Sequence, residues 1–341
     1  MAGKNHHHLW QMLQRGFADR DGNQHFTFAY GKLGDPERKN TKDFGAEEFF
    51  YGPEGSAADE NITDFELRME RHIQALRRAP DGHQVDSAKM AALVSHLEMR
   101  SLFLRSEMIR VSDEMLVALQ KHFSSPSKTI RLMSTYLTNH PELVAKEFDK
   151  LNLSSEGRAL AEGYADSKLP SLIEQAAPRL AKQAAAVVGT MGPAMVKAAK
   201  EGHIKALEND FFTVERVGIH SQWSFFVKRY NGERLILPDT ALAFLGETGC
   251  SPFSQKGSNF QEVIVPVSDQ VALIGCSKKP IFRTSDAVNR ILASCSYQGF
   301  AAREDRVSLR KLARRIGKNA ELISKGELRR IFSFENMLDG L

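Results

Sequence analysis

Cysteine is scarce in this chain: Cys250, Cys276 and Cys295 are the only three in 341 residues, and none belongs to a Cys-x-x-Cys pair. An odd, scattered set argues against a disulfide framework and zinc-ribbon spacing, and predicts free thiols in a reducing, cytoplasmic setting. Long apolar runs are missing too. The longest uncharged, mostly apolar stretch, residues 183–196, carries two glycines and a proline and is too short to cross a bilayer as a helix, so no membrane span is expected. Residues 1–13 are polar, without the apolar stretch of a signal peptide, and are expected to be retained. Nor is there much excess of either charge: 46 Lys and Arg against 42 Asp and Glu give a net +4, so any anion site must come from local clustering. Gly-x-Gly-x-x-Gly, Walker loop, Gly-x-Ser-x-Gly and His-Glu-x-x-His patterns are all absent, which removes the commonest nucleotide, acyl-transfer and zinc-protease signatures.

What is present is the composition of a folded protein, 42% hydrophobic and 26% charged, with a length suited to one large domain or two ordinary ones. Residues 1–60 read as strands and loops: Asp21-Gly22-Asn23 marks a turn before an alternating strand over 25–30, and the aromatics Phe49, Phe50 and Tyr51 read as core. From Asn61 the spacing becomes helical, with Ile62, Phe65, Met69, Ile73 and Leu76 on one face until Pro80-Asp81-Gly82. Further helices are expected from Ser87 to about Met108, from a cap at Ser112, from Pro141, from Ser155, and through an alanine-rich stretch with breaks near Pro178 and Gly192-Pro193. After Asp210 the period falls to two. Strands are expected over 211–217, 223–230, 234–237, 262–267 and 271–276, with Asn231-Gly232 as a hairpin turn. Helices close the chain at about 284–297, 308–316 and 325–332. These patterns predict an α+β fold: an amino-terminal β unit (1–60), a helical layer (61–210), a β-rich region (211–302) packed with it, and a basic helical carboxy terminus (303–341).

Several groups of residues could carry chemistry. His6, His7 and His8 offer imidazoles able to hold a metal or move a proton, against the alternative of a turn with solvated histidines. Glu66 and Glu70 share a helix face and suit a divalent cation or a base, or else a salt-bridged face with Arg68 and Arg71. Arg100 and Arg105 stand in an apolar helix, where each needs a carboxylate such as Glu66 or Glu70, or a bound phosphate. Asp239 ends a predicted strand and is either a site carboxylate or a turn residue. The helix around 308–316 presents Arg310 and Arg314 to nucleic acid, or is a solvated face packed through Leu309, Leu312 and Ile316.

Asn5-His6-His7 followed by Gln11, Arg15 and Phe17, an aromatic strand near Phe26, and the run Glu48-Phe49-Phe50-Tyr51 resemble the opening of bacterial domain-of-unknown-function family 4238. The resemblance continues through Glu66 and Glu70, Arg100, Pro238-Asp239-Thr240, Pro266-Val267-Ser268 and Asn289, and so covers about residues 5–302. Trp10 stands where the family has proline, His8 where it has Tyr or Phe, and Asp239 lacks the flanking serine and proline. No activity comes with the resemblance. It implies that motifs from both ends of the chain and from its helical middle converge on one polar site.

The resulting expectation is a hydrolase acting on a phosphodiester or nucleic acid. His6, His7, Glu66, Glu70 and Asp239 are its candidate acid/base groups; Arg100, Arg310 and Arg314 bind substrate, and His6, His7, Glu66 and Asp239 are candidate ligands for a divalent metal ion. The alternative is a non-catalytic component of a bacterial defence or toxin complex, in which the same polar groups form a buried structural device and the partner is another protein.

Overall fold

The computed structural model describes residues 4–247, 249–254 and 259–339. The fold is α+β. The chain divides into two compact units, Met1–Glu107 with Lys200–Leu322, and Met108–Ala199 with Ile323–Leu341. This division replaces the expected boundaries at 60, 210 and 302, which follow changes of secondary-structure type. Packing instead splits the 61–210 helical segment between the two units.

In the first unit three antiparallel sheets surround one core. The six-stranded sheet runs Gly249–Ser251, Ala243–Gly246, Phe260–Ser268, Val271–Cys276, Ser224–Arg229, Gln84–Val85 in spatial order. Its centre, including Val263, Ile264, Val265 and Leu273, is fully buried, as befits strands covered on both faces. The second sheet joins Gln24–Gly31 to Asp19–Asp21, Glu37–Asn40 and Gly299–Ala302, the last also pairing with Leu237–Pro238. A small ribbon pairs Asn5–His7 with Ala46–Glu48, placing His6 opposite Glu47 and His7 opposite Ala46. Gly45, which leads into that ribbon, has φ +64°, and a Cβ there would lie 2.6 Å from that of Leu9, so only glycine fits.

Two expected strands take other forms. Residues 211–217 lie in the helix Asp210–His220, which packs on the helix Ser87–Met99; Arg216 and His220, one helical turn apart, both reach Glu98. Asn231-Gly232 does not make a hairpin. Ser224–Arg229 already has Val271–Cys276 on one side and Gln84–Val85 on the other, so the following segment crosses to the second sheet and pairs as Leu237–Pro238.

The helix expected over 87–108 breaks at Arg100 and Ser101. Ser101 Oγ accepts from Leu104 N at 3.3 Å at the start of the next helix, Leu102–Phe123. Ser112 does not cap that helix: its hydroxyl donates back to Met108 O at 2.9 Å from within it.

The second unit is helical. Ser155–Thr190 passes through Pro170 and Pro178 without ending, because each proline deletes a single N–H while alanines nearby favour the helix. It packs on Pro126–Asn139 and Pro141–Asp149. No helix among the described residues is long and apolar enough to cross a membrane.

Candidate functional site

Arg100 organises the polar interior of the first unit. It caps the end of Ser87–Met99 and is 1% exposed, so its charge must be met by protein groups. Nη1 donates to Glu66 Oε1 at 2.5 Å and lies 3.3 Å from His96 Nε2; Nε donates to Tyr51 Oη at 3.1 Å, and Nη2 donates to the His7 carbonyl. Tyr51 Oη in turn donates to the same carbonyl at 2.9 Å. Burial opposes the charge of the guanidinium, but Tyr51 and then the Glu66 carboxylate hold its pKa above the ordinary value. Arg100 pairs with Glu66, one of the two carboxylates open to it from the sequence, and ties the amino-terminal ribbon to the helix Ala57–Arg78.

The three consecutive histidines have three different environments. His6 is buried against Tyr51 with rings stacked at 14°, and its Nδ1 accepts from Tyr51 N at 2.9 Å. The ring proton must therefore sit on Nε2, 3.6 Å from Asp59 Oδ1. His7 is half-buried and Nε2 donates to Thr41 O at 3.2 Å; burial and then Arg100 lower its pKa. His8 is 8% exposed beside the Phe50 ring, and its Nδ1 has no hydrogen-bond partner among the described residues. Burial, followed by Arg100, His7 and Arg105, brings its pKa down to about 3, so it is neutral at pH 7.

His8 lines a cavity of about 330 Å³ in the first unit together with Tyr30, Asp35, Glu37, Lys39, Asp43 and Asp239. Four carboxylates face one lysine there. Lys39 pairs with Glu37 at 2.9 Å, and Arg310 reaches Asp35 at 3.0 Å. Tyr30 Oη accepts from Arg306 N at 3.0 Å and contacts Asp305 Oδ1; burial foremost pushes its pKa up to about 12. Asp239 is held by three backbone donors, Tyr297 N at 2.7 Å, Gln298 N at 2.6 Å and Gly299 N at 3.0 Å. Burial raises its carboxyl to about 6 against those donors, which favour the charged form.

The expected metal set therefore does not assemble. His6 meets Asp59, Glu66 meets Arg100, and Asp239 meets the 297–299 backbone. Among the described residues no group of three or more His, Cys, Asp and Glu could hold a metal ion. Glu70 also stands apart from Arg100: it accepts from Gln74 Nε2 at 3.3 Å and lines a separate cleft with Arg15, His25 and Arg77.

The carboxy-terminal basic segment is a helix only over Val307–Ala313 and turns through Ile316, and much of its charge is neutralised. Arg310 bonds Asp305 and Asp35, while Arg306 lies 2.7 Å from Glu304; Arg314 remains exposed. Asn289 is likewise structural, accepting from Ile236 N at 3.0 Å and donating to Arg234 O at 2.9 Å.

No family model, curated protein or solved structure matches the chain.

Three buried groups lie outside the candidate residues that the sequence marks. Glu98 is wholly buried and accepts from Ser254 N at 2.6 Å, with Arg216 and His220 on its two oxygens. His203 donates to Met99 O at 2.8 Å and accepts from Arg105 Nε at 3.1 Å, a neutral tautomer whose pKa burial lowers to about 4. His96 stacks on Phe65 at 3.8 Å and lies well below the ordinary histidine pKa, chiefly through burial. The available signal was His96 and Glu98 inside the apolar 90–99 stretch, where unpartnered polar side chains are costly.

Proposed function

We propose that this chain is a small-ligand-binding protein whose site is the cavity lined by His8 and Asp239, and that its ligand carries a cationic group. The observation that supports this is His8, nine-tenths buried on the cavity wall with a ring nitrogen that the described protein leaves without a partner. Buried polar atoms are ordinarily satisfied, and what sets His8 apart from the other unpartnered ring nitrogens, His6 Nε2 and His220 Nδ1, is that His8 lines this cavity. The surrounding excess of carboxylate over Lys39 selects for positive charge. The three free thiols favour a reducing, cytoplasmic setting.

Phosphodiester hydrolysis is the weaker reading. Arg100 is buried and spends its donors on Glu66, Tyr51 and His7, while of the two exposed cations Arg310 is paired with two aspartates. A neutral His8 of depressed pKa and a fully engaged Asp239 make a wall for binding rather than an acid/base pair. Kinship with family 4238 fits the same proposal as a shared fold. Of the positions that carry the resemblance, His6, Tyr51, Arg100 and Asn289 are hydrogen-bonded within the structure, while Asp239 and one of the departing positions, His8, line the cavity.

Thermal unfolding with agmatine or spermidine, set against pyrophosphate and adenosine monophosphate, tests the proposal. At about 100-fold excess over Kd an amine should raise Tm by roughly 5–10 °C, with the shift lost in His8→Phe and reduced in the exposed Asp43→Asn. Stabilisation by the anions alone, or no response to either amine, would overturn it. So would release of nitrophenol from bis(p-nitrophenyl) phosphate that depends on His7 and is indifferent to amines.

A further inference from the structure

Two of the three cysteines meet in the first unit, apart from the His8 cavity. Cys250 lies on the edge strand Gly249–Ser251, and Cys295 ends the helix Ser285–Cys295, which packs on that strand. The helix–strand contact brings the two thiols close enough for each to act on the other's pKa. Asn319 Nδ2 donates to Cys250 Sγ at 3.0 Å. Asn319 is held by its own N–H to Ser294 O at 2.9 Å, and Arg315 is anchored on Ser294 Oγ at 3.1 Å.

The pair is asymmetric. Cys250 is half-buried on a cleft of about 310 Å³ that also presents Ser251, Lys318 and Asn319, whereas Cys295 is fully buried. The Cys295 thiol first, then the Asn319 hydrogen bond and the charge of Arg315, favour the Cys250 thiolate and bring it to about 7. Cys295 lies well above its ordinary value. Cys276 is different: it is buried, its thiol points at Ser224 O at 3.7 Å, and burial raises its pKa.

We propose that Cys250 and Cys295 form a peroxide-reactive pair, in which Cys250 is oxidised at the cleft by a hydroperoxide and Cys295 closes a disulfide. The Cys250 thiolate attacks one oxygen of ROOH. The S–O bond forms as the O–O bond breaks, and the departing alkoxide takes a proton from solvent as ROH, beside the positive charge of Lys318. Cys295 sulfur then attacks the Cys250 sulfenic acid. The S–S bond forms, the S–O bond breaks, and hydroxide leaves with the Cys295 proton as water. Two thiols are oxidised by two electrons, and the peroxide is reduced to alcohol and water.

The full chain, treated with an equimolar amount of hydrogen peroxide, alkylated and digested without reductant, should give a Cys250–Cys295 cross-linked peptide with Cys276 still alkylated. In Cys295→Ser, Cys250 should instead be trapped by dimedone as the sulfenic acid. Should that buried substitution impair folding, iodoacetamide labelling of the unaltered protein provides an independent readout. Cys250 should label about tenfold faster than Cys276 at pH 7.5, along a titration centred near 7. Equal oxidation of all three thiols, a cross-link involving Cys276, or Cys250 labelling no faster than Cys276 would each overturn the proposal.

Discussion

His6 and His8 are two residues apart and nearly equally buried, yet they belong to regions of opposite character. Around His6 and Arg100 most strong donors and acceptors have partners within the first unit: the guanidinium reaches a carboxylate, a phenol, an imidazole and a carbonyl. Around His8 a neutral ring with an orphaned nitrogen borders a cavity rich in carboxylate. Burial alone therefore says nothing about role. Each ring leaves one nitrogen without a hydrogen bond among the described residues; what separates them is that His6 Nδ1 is fixed by Tyr51 N with Nε2 set 3.6 Å from Asp59, whereas the His8 ring lines a cavity.

That contrast can be broken most directly at Arg100. Arg100→Met strips a partner from Glu66, Tyr51 and the His7 carbonyl at once and should cost about 3–5 kcal/mol in urea unfolding; a loss under 1 kcal/mol would mean that the network is not a structural tie. The next largest effect belongs to His8 and is seen through pH. In the folded chain His8 takes a proton only near pH 3, whereas an unfolded histidine takes one below about 6.5, so stability is lost as pH falls through that window. His203, lowered to about 4, acts in the same sense. Asp239, raised to about 6, acts in the opposite sense between there and the ordinary aspartate value. His8→Phe removes one histidine's share, and its loss of stability between pH 7 and 5 should be smaller than that of the parent by ~2 kcal/mol. An unchanged difference would place His8 in water.

Smaller effects sharpen the same comparison. Tyr51→Phe leaves Arg100 Nε unpaired while the ring keeps its packing, with an expected cost of about 1–2 kcal/mol in chemical denaturation. His7→Ala removes one side-chain hydrogen bond to Thr41 O from a half-buried position, and a cost near ~1 kcal/mol is expected. Thermal shifts by the amine probe should survive Tyr51→Phe and His7→Ala and vanish in His8→Phe. Loss of the shift in His7→Ala instead would move the site to His7.

Much of the fold was legible. The strand near residues 25–30, the helix before Pro80, the 262–276 strand pair and the helix from Pro141 all appear close to where hydrophobic period and caps indicate, because these are local signals. The misreadings share a cause. The segment 211–217 and the Asn231-Gly232 turn have the local patterns of a strand and a hairpin, but one lies in a helix whose Arg216 and His220 meet Glu98 and the other is denied a partner because both edges of its strand are occupied. At the site, Arg100 and Glu66 were legible as a pair, since a charge in an apolar stretch needs a counterion. His8 stands where the resemblance has Tyr or Phe, and nothing in its local sequence marks a place on a cavity wall.

The sequence by itself determined the α+β class, most helix limits, the want of a long apolar span and the need for a counterion at Arg100, for these depend on composition and on spacing within a few turns. Tertiary structure alone decided which histidine is fixed against Tyr51 and Asp59 and which lines a cavity, and that Cys250 meets Cys295. Those outcomes depend on which distant backbone groups arrive at a side chain: Tyr51 N at His6, the 297–299 loop at Asp239, and no described donor or acceptor at His8 Nδ1.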